Sequence, residues 1–140
     1  MTAAERDALR QQLIRHEGLR LFPYVDTVGK ITIGVGRNLT DRGLSHHEVR
    51  ALLDTDINDA LNALAVFPWF TTLDPIRQRA LVDLCFNLGL PRLRTFKNML
   101  AALERRDWPR AARELLASRY ASQVGRRAIT IARMLETGEA

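Results

Sequence analysis

Two carboxylates and a threonine lie close together near the start of this 140-residue chain. Eight residues separate Glu17 from Asp26, and Thr32 follows at the head of a Thr-Ile-Gly-Val-Gly run. Cleavage of a glycosidic bond needs a proton for the leaving oxygen and support for an oxocarbenium-like transition state. These three residue types could supply the acid, the group that orients water and the stabilising charge at one sugar bond.

The two carboxylates are expected to have different environments. Glu17 falls at the end of a predicted helix beside Leu19, where partial burial and the helix dipole would favour its protonated form. Asp26 falls in a predicted polar hairpin, where solvent would favour its charged form. Two carboxylates whose environments push their pKa values apart are typical of an acid/base site. The pair alone is weak evidence for a catalytic site, because charged residues at helix ends and in turns are mostly solvated.

The elements that must position these groups can be read from caps and periodicity. Thr2 and Glu5 form a capping box, apolar residues recur at helical spacing after them, and Gly18 is a natural stop. Residues 20–39 then alternate apolar and polar side chains around a turn at 28–30, which predicts two or three short strands. Glu17 would therefore end a helix, and Asp26 and Thr32 would lie on a hairpin.

The remainder of the chain predicts helices. Ser45 and Glu48 form a second capping box ahead of a helix of roughly 20 residues. Asp74-Pro75 starts an unusually apolar helix that Gly89 ends. Shorter helices are predicted at about 95–105, 108–119 and 126–137. The predicted fold class is α+β and mostly helical.

The charge of the chain is positive and unevenly placed. The formal net charge is +5, with a sequence pI of about 10.3. Residues 1–91 carry ten Lys/Arg against eleven Asp/Glu, whereas residues 92–140 carry eleven against five. Such a basic segment indicates an anionic partner, which could be nucleic acid, a lipid surface or a bacterial envelope polymer. Nucleic acid is disfavoured, because aromatic residues are not interleaved with the basic ones and no nucleic-acid motif is present.

Several classes of protein are disfavoured by composition. One cysteine excludes an internal disulfide, and the three histidines lack zinc-ligand spacing, so neither metal nor other cofactor is expected. The N-terminus lacks the apolar core of a secretory signal, and no apolar run of about 18 residues is present. We therefore expect synthesis in a host cytoplasm and no stable membrane insertion. A substrate outside the membrane would require another component to let the protein through.

Spaced blocks of this sequence resemble the phage-type lysozymes of glycoside hydrolase family 24. The blocks are Glu17-x8-Asp26-x5-Thr32 with the following Ile-Gly-Val-Gly, residues 79–89, Phe96-Lys97-Asn98, residues 108–112 and residues 118–120. The likeness covers nearly the whole chain and fails only around residues 55–75. It implies one lysozyme-like domain with an N-terminal lobe of about 1–55, a helical lobe of about 56–140, and a cleft between them.

The resemblance also implies a reaction. It is hydrolysis of the β-1,4 bond between N-acetylmuramic acid and N-acetylglucosamine in peptidoglycan, by a monomer that needs no cofactor. Glu17 would be the general acid, and Arg127, or Arg126 in its place, would pair with it. Asp26 and Thr32 would hold water or stabilise the cationic sugar. Enzymes of this family are best known for inverting the anomeric configuration, which predicts a carboxyl separation of about 6.5–9.5 Å. A separation of about 5 Å would instead support a covalent intermediate.

The same resemblance places glycan contacts elsewhere in the chain. The matching positions are Asn38, Phe86, Asn87, Met99 and Arg119. Core packing is an equal alternative for Phe86 and Met99, because buried Phe and Met are usually core residues. Arg37 stands where well-known relatives have a histidine that pairs with an acid of the other lobe, and such a pair is either kept or lost here.

A phage origin implies an endolysin, or a prophage copy, that reaches the wall through a permeabilised membrane. The basic segment would then attract peptidoglycan and other anionic envelope polymers. One alternative is a lytic transglycosylase, which uses a single acid and adds no water; the presence of Asp26 and Thr32 argues against it. A second alternative is a non-catalytic cationic protein that binds walls or disrupts membranes.

Overall fold

A long helix and a small sheet begin the chain in the computed structural model, which describes residues 1–140. Helix α1 is Ala3–Glu17, and its predicted capping box is confirmed. The Thr2 hydroxyl accepts the Glu5 N–H at 3.2 Å, and the Glu5 carboxylate accepts the Thr2 N–H at 2.6 Å. Gly18 ends the helix by donating its N–H to the Ile14 carbonyl at 2.8 Å. Glu17 is therefore the last helical residue.

Three antiparallel strands follow in the order β1-β2-β3. They are β1 (Arg20–Val25), β2 (Ile31–Gly34) and β3 (Arg37–Asn38). Tyr24 lies opposite Thr32, and Thr32 lies opposite Asn38. Because residues directly opposite one another share a face of the sheet, these three side chains lie on the same face.

Two further helices lie between the sheet and the rest of the chain. Helix α2 (Leu39–Arg42) is a single turn that was not predicted. Helix α3 (His46–Leu64) has the predicted second capping box, in which Ser45 N–H donates to Glu48 at 2.8 Å and Glu48 N–H donates to Ser45 at 3.2 Å. The chain divides into two compact units, Met1–Arg50 and Ala51–Ala140, and this boundary falls within α3.

The second unit is helical. A 3-10 turn at Phe70–Thr72 precedes six helices. They are α4 (Pro75–Leu88), α5 (Leu90–Leu93), α6 (Lys97–Glu104), α7 (Trp108–Leu116), α8 (Arg119–Val124) and α9 (Arg126–Thr137). The Asp74 cap, the first-turn proline and the stop at Gly89 are confirmed for α4. The single helix predicted over 108–119 is wrong in its second part, because α7 ends at Leu116 and Ser118 caps a new helix by accepting the Ala121 N–H at 3.3 Å.

The apolar core lies within the second unit. Every buried apolar residue falls between Ala60 and Leu135, and the largest fully buried ones are Leu, Ile and Met side chains. Cys85 is 4% exposed within this core, and burial raises the pKa of its thiol. In the first unit Thr32 is the sole buried residue. The α+β, mostly helical class is confirmed by this arrangement.

One buried arginine ties two helices of the second unit together. Arg77 is 9% exposed, and its guanidinium donates to the carbonyls of Leu135 at 2.7 Å and Glu136 at 2.8 Å. It also donates to Asp74 at 2.8 Å and lies 4.0 Å from the centre of the Trp108 ring. A cation at the C-terminal end of α9 complements the helix dipole. Trp108 is partly buried against the core and therefore takes part in packing.

No helix combines the length and the apolar character that crossing a bilayer requires.

Candidate functional site

Backbone amides of its own turn hold the Asp26 carboxylate in place. Oδ1 accepts the N–H of Val28 at 2.9 Å and the N–H of Lys30 at 2.8 Å. Gly29, at φ 84°, closes the turn by donating its N–H to the Asp26 carbonyl at 3.1 Å. An aspartate that bonds backbone amides two and four residues ahead is fixed in orientation. Oδ2 has no hydrogen-bond partner within the chain and remains available to a ligand.

Thr32 is buried on β2 and is connected to Asp26 through one peptide group. It is 4% exposed, and its hydroxyl donates to the Lys30 carbonyl at 3.1 Å. The same carbonyl accepts the Asp26 N–H at 2.9 Å. Since its proton is engaged, the Thr32 oxygen can act only as an acceptor toward a bound molecule.

Glu17 lies against a glycine in the turn after β2. A Cβ built on Gly36 would lie 3.0 Å from Glu17 Oε2 and 3.4 Å from Cδ, so the bare Cα is what leaves room for the carboxylate. Gly36 also has φ 70°, which L side chains rarely adopt. Gly36 ends the Thr-Ile-Gly-Val-Gly run, but its contact with Glu17 was not predicted from the sequence.

The expected partial burial of Glu17 is not found. Its side chain is exposed in the structure, although it sits at the predicted helix end. All three predicted catalytic side chains belong to the first unit. Glu17 comes from the last turn of α1, and Asp26 and Thr32 come from the hairpin that follows. Their roles and the outcome at the anomeric carbon stay predictions.

Asn38 has a structural task that the sequence did not indicate. Its Oδ1 accepts the Asp41 N–H at 3.0 Å, which caps α2, and its Nδ2 donates to the Asp41 carboxylate at 2.9 Å. Asp41 also accepts a hydrogen bond from Lys30 Nζ at 3.2 Å, and Thr40 accepts the Ile31 N–H at 2.9 Å. These bonds fix α2 to the end of β2 that carries the site. A glycan contact by Asn38 stays a prediction.

Arg37 forms an ion pair inside the first unit. Its guanidinium donates to the two carboxylate oxygens of Glu48 at 2.8 and 2.6 Å and to the Gly43 carbonyl at 3.3 Å. The hydrogen bond from Arg37, with a second one from the Ser45 backbone, lowers the pKa of Glu48 from 4.5 to about 2. Arg37 therefore pairs with an acid of its own unit, at the start of α3, whereas the pair left open by the sequence was with an acid of the other lobe.

The predicted glycan contacts of the second unit lie in different places. Met99 is 1% exposed and belongs to the core, and it also lines a cavity of about 350 Å³ together with Arg119. Phe86 is 47% exposed and lines a more apolar cavity of about 610 Å³. Asn87 is exposed beside it in sequence. Core packing is thus found for Met99 and not for Phe86, and glycan binding by all four stays a prediction.

Arg127 has a partner in its own unit. Its Nε donates to Asp83 Oδ1 at 2.8 Å, and its Nη2 lies 2.7 Å from the same oxygen. Both residues line the cavity that Phe86 lines. Asp83 was not predicted from the sequence as a partner of Arg127, and the pairing of Arg127 with Glu17 stays a prediction.

Metal-ligand residues do not converge anywhere in the chain in groups of three or more.

Comparison with known proteins gives one family. The family model for phage lysozyme matches residues 14–133, a range that contains Glu17, Asp26 and Thr32. Probable T4-type lysozyme 1 of Dictyostelium discoideum is 27% identical over 94% of this chain and 95% of its own length. The pre-baseplate central spike protein Gp5 of Enterobacteria phage T4 is 27% identical over 94% of this chain, which is 28% of that protein. The SAR-endolysin of Escherichia phage Mu is 35% identical over 61% of this chain and 51% of its own.

Proposed function

This chain belongs to the phage lysozyme family, and we propose that it hydrolyses the β-1,4 bond between N-acetylmuramic acid and N-acetylglucosamine in peptidoglycan. Membership makes it a hydrolase of lysozyme type. The observation that carries the finer proposal is the backbone of Lys30. Its N–H donates to the Asp26 carboxylate, and its carbonyl accepts the Thr32 hydroxyl and the Asp26 N–H. Glu17 contacts the turn that follows the same hairpin.

Glu17 is the proton donor in this proposal. Its carboxyl group is exposed and rests against Gly36, so a sugar ring can approach it without moving the backbone. A bound glycan would exclude water from the carboxyl group and favour its protonated form. Transfer of that proton to the glycosidic oxygen lets the leaving sugar depart as an alcohol.

Asp26 and Thr32 orient the attacking water. Oδ2 of Asp26 is free to accept a hydrogen bond, and the Thr32 oxygen is an acceptor because its proton is donated to Lys30. A water that donates one proton to each has its lone pair free for the anomeric carbon. Asp26 then takes a proton as the new bond forms, and the anomeric configuration inverts.

The biological setting of the proposal follows from the substrate. The enzyme acts as a monomer on the bacterial wall and is attracted to it by the basic residues of positions 92–140. A separate factor that permeabilises the membrane brings it to the wall. No cofactor takes part in the reaction.

The test is the clearing of purified, protein-free peptidoglycan by wild type and by Glu17→Gln. We expect the variant to lose about 10³-fold in rate, the scale of a missing general acid. Asp7→Asn is the matched control, since Asp7 is an exposed carboxylate of the same helix whose partner is a surface arginine at 3.8 Å. That control should keep the wild-type rate.

Product mass separates the possible reactions. Hydrolysis adds one water to each cleaved bond, whereas a lytic transglycosylase adds none and leaves an anhydro sugar. Equal clearing by wild type and Glu17→Gln would mean that Glu17 is not the acid. Failure of both to clear the wall would favour a cationic binding protein.

A further inference from the structure

A bulge in β1 brings the side chain of Arg20 onto the ring of Tyr24. Arg20 lies opposite Gly34 and Tyr24 lies opposite Thr32, so four steps along β1 match two steps along β2. Two steps of an antiparallel strand span about 7 Å, whereas four would span about 14 Å. The guanidinium carbon of Arg20 consequently lies 4.3 Å from the centre of the Tyr24 ring. Bulges often re-aim a side chain in this way next to an active site.

The residues inside the bulge show that this geometry is unfavourable for stability. Leu21 and Phe22 are 80% and 81% exposed, so two large apolar side chains gain nothing from burial. Pro23 follows them and has no N–H to donate, which suits a bulge on an edge strand such as β1. Local features that reduce stability are expected at functional sites. The bulge therefore directs attention to the side chains that it brings together.

The charge of Arg20 is not neutralised within the chain. Arg20 is exposed and forms no ion pair with any carboxylate. The N–H groups of a guanidinium form a planar fork that fits a carboxylate through two parallel hydrogen bonds. Stacking on the partly buried Tyr24 ring restricts this long side chain, so less conformational entropy is lost when a ligand binds. Arg20 is therefore an oriented cation that can bind an anion.

The stacked pair lies on the face of the sheet that carries the catalytic candidates of the hairpin. Tyr24 shares this face with Thr32, which lies opposite it. The bond from the Asp26 N–H to the Lys30 carbonyl at 2.9 Å continues the pairing of β1 with β2 by one residue. Since alternate residues of a strand share a face, Asp26 lies on the same side as Tyr24, about 7 Å further along. Arg20, Tyr24 and Asp26 thus follow one another along one face.

We propose that Arg20 binds a carboxylate on the peptide branch of peptidoglycan and makes the enzyme prefer glycan that carries this branch. The inference rests on the proposed function, because that function brings N-acetylmuramic acid, the sugar that bears the peptide, against Asp26 and Thr32. A carboxylate suits the position better than a phosphate dianion, since one cation near the Asp26 carboxylate compensates a single negative charge. Tyr24 is a positioning residue, which acts by orienting the guanidinium of Arg20.

The experiment measures by calorimetry the Kd of two soluble peptidoglycan fragments. One fragment has the disaccharide repeat with its peptide branch, and the other is the same molecule with its carboxylates converted to amides. The parent protein carries Glu17→Gln, so hydrolysis does not contribute to the heat. Salt at about 0.15 M screens diffuse attraction between exposed charges. We expect amidation to weaken binding by the parent about 10-fold, the size of one exposed charge-assisted contact.

Variants of the stacked pair test whether this preference comes from Arg20. Arg20→Gln in the same background should bind the two fragments within about twofold of each other, a difference too small to represent a lost contact. Tyr24→Leu removes the ring and should lose most of the preference although Arg20 is still present, whereas Tyr24→Phe keeps the ring and should keep the preference. A preference that survives Arg20→Gln overturns the proposal. Equal preferences in Tyr24→Leu and Tyr24→Phe overturn the positioning role of Tyr24.

Arg6→Gln is the matched control. It removes the same charge from an exposed residue of the same unit that also has no ion pair, about 16 Å of helix away from Glu17. This variant should keep the preference of the parent, and a loss equal to that of Arg20→Gln would overturn the proposal in favour of diffuse attraction.

Two results with the parent protein also overturn the proposal. They are equal affinity for the two fragments and absence of binding to either. Clearing of peptidoglycan by the wild type and the mass of its products test the proposed function separately. The preference for a carboxylate can therefore fail while the hydrolysis stands, and a measured preference without Glu17-dependent clearing would place the fault in the proposed function.

Discussion

Alanine at position 36 should impair catalysis by displacing Glu17. The added Cβ would lie 3.0 Å from the Glu17 carboxylate, on a backbone at φ 70°. Gly34 is a matched control, because its φ is 68° and a Cβ there would meet nothing within 4 Å. The two substitutions therefore share the backbone strain, and only one of them adds a contact with the acid.

The structure gives the size of both effects. Forcing an L residue into this backbone region costs about 1–2 kcal/mol, and both variants should lose that much stability. For a chain of this size that loss lowers Tm by roughly 3–8 °C. Ordinary contact begins at 3.4 Å, so Gly36→Ala must move the carboxylate by a few tenths of an ångström. A shift of 1 Å can cost about 100-fold, so we expect a loss of about 10-fold in kcat for Gly36→Ala alone.

The assay compares kcat on soluble peptidoglycan fragments with Tm from calorimetry, for both variants in one buffer. Gly34→Ala should keep a kcat near that of the wild type after the lower Tm is allowed for. Equal loss of kcat in the two variants would refute the reasoning, because strain and not displacement of Glu17 would then be responsible. Unchanged kcat in both would refute it as well.

Three further predictions follow from individual contacts. Thr32→Val keeps the shape of the side chain but removes the hydroxyl, so it should lower kcat about 100-fold, whereas Thr32→Ser should retain most of it; equal losses would count against the water-orienting role. Glu48 has a folded pKa of about 2 and an ordinary value of 4.5, so the stability that it contributes is complete above pH 5 and is lost as the pH falls from 4.5 to 2. Acid unfolding of Glu48→Gln should show a weaker pH dependence in that window, and an unchanged curve would contradict this. Arg77→Lys should destabilise the fold by about 2–4 kcal/mol in denaturant titration, since lysine cannot reproduce the buried fork onto two α9 carbonyls; a loss under about 0.5 kcal/mol, the size of an ordinary surface substitution, would contradict it.

Local signals in the sequence predicted most of the helices. Capping boxes at Thr2 and Ser45 and the Asp74-Pro75 start were found at the predicted positions, because each is satisfied by atoms within four residues. The strands were predicted for a similar reason, since alternation and a glycine turn are local properties. The helices α2 and α5 were not predicted, because four residues are too few to show a helical periodicity.

Contacts between residues far apart in the chain were not predicted from the sequence. The pairing of Arg127 with Asp83 joins residues 44 positions apart, and no local pattern selects one of several acids as its partner. The contact of Gly36 with Glu17 depends on the path of the chain through the whole sheet. The catalytic candidates were identified from motif spacing, which is a local property of the sequence. Burial depends on packing against the rest of the fold, which is why the predicted burial of Glu17 was wrong.

The amides that hold Asp26 have a consequence for evolution and design. Val28 and Lys30 bind the carboxylate through their backbone N–H groups, so neither side chain is needed for that purpose. Almost any amino acid at these two positions preserves the orientation of Asp26. Proline alone removes the donor. Relatives can therefore diverge at Val28 while Asp26 keeps its orientation, and an engineer can use that position to alter charge or solubility beside Asp26. A change at Lys30 would in addition remove the Nζ bond to Asp41 that helps to fix α2.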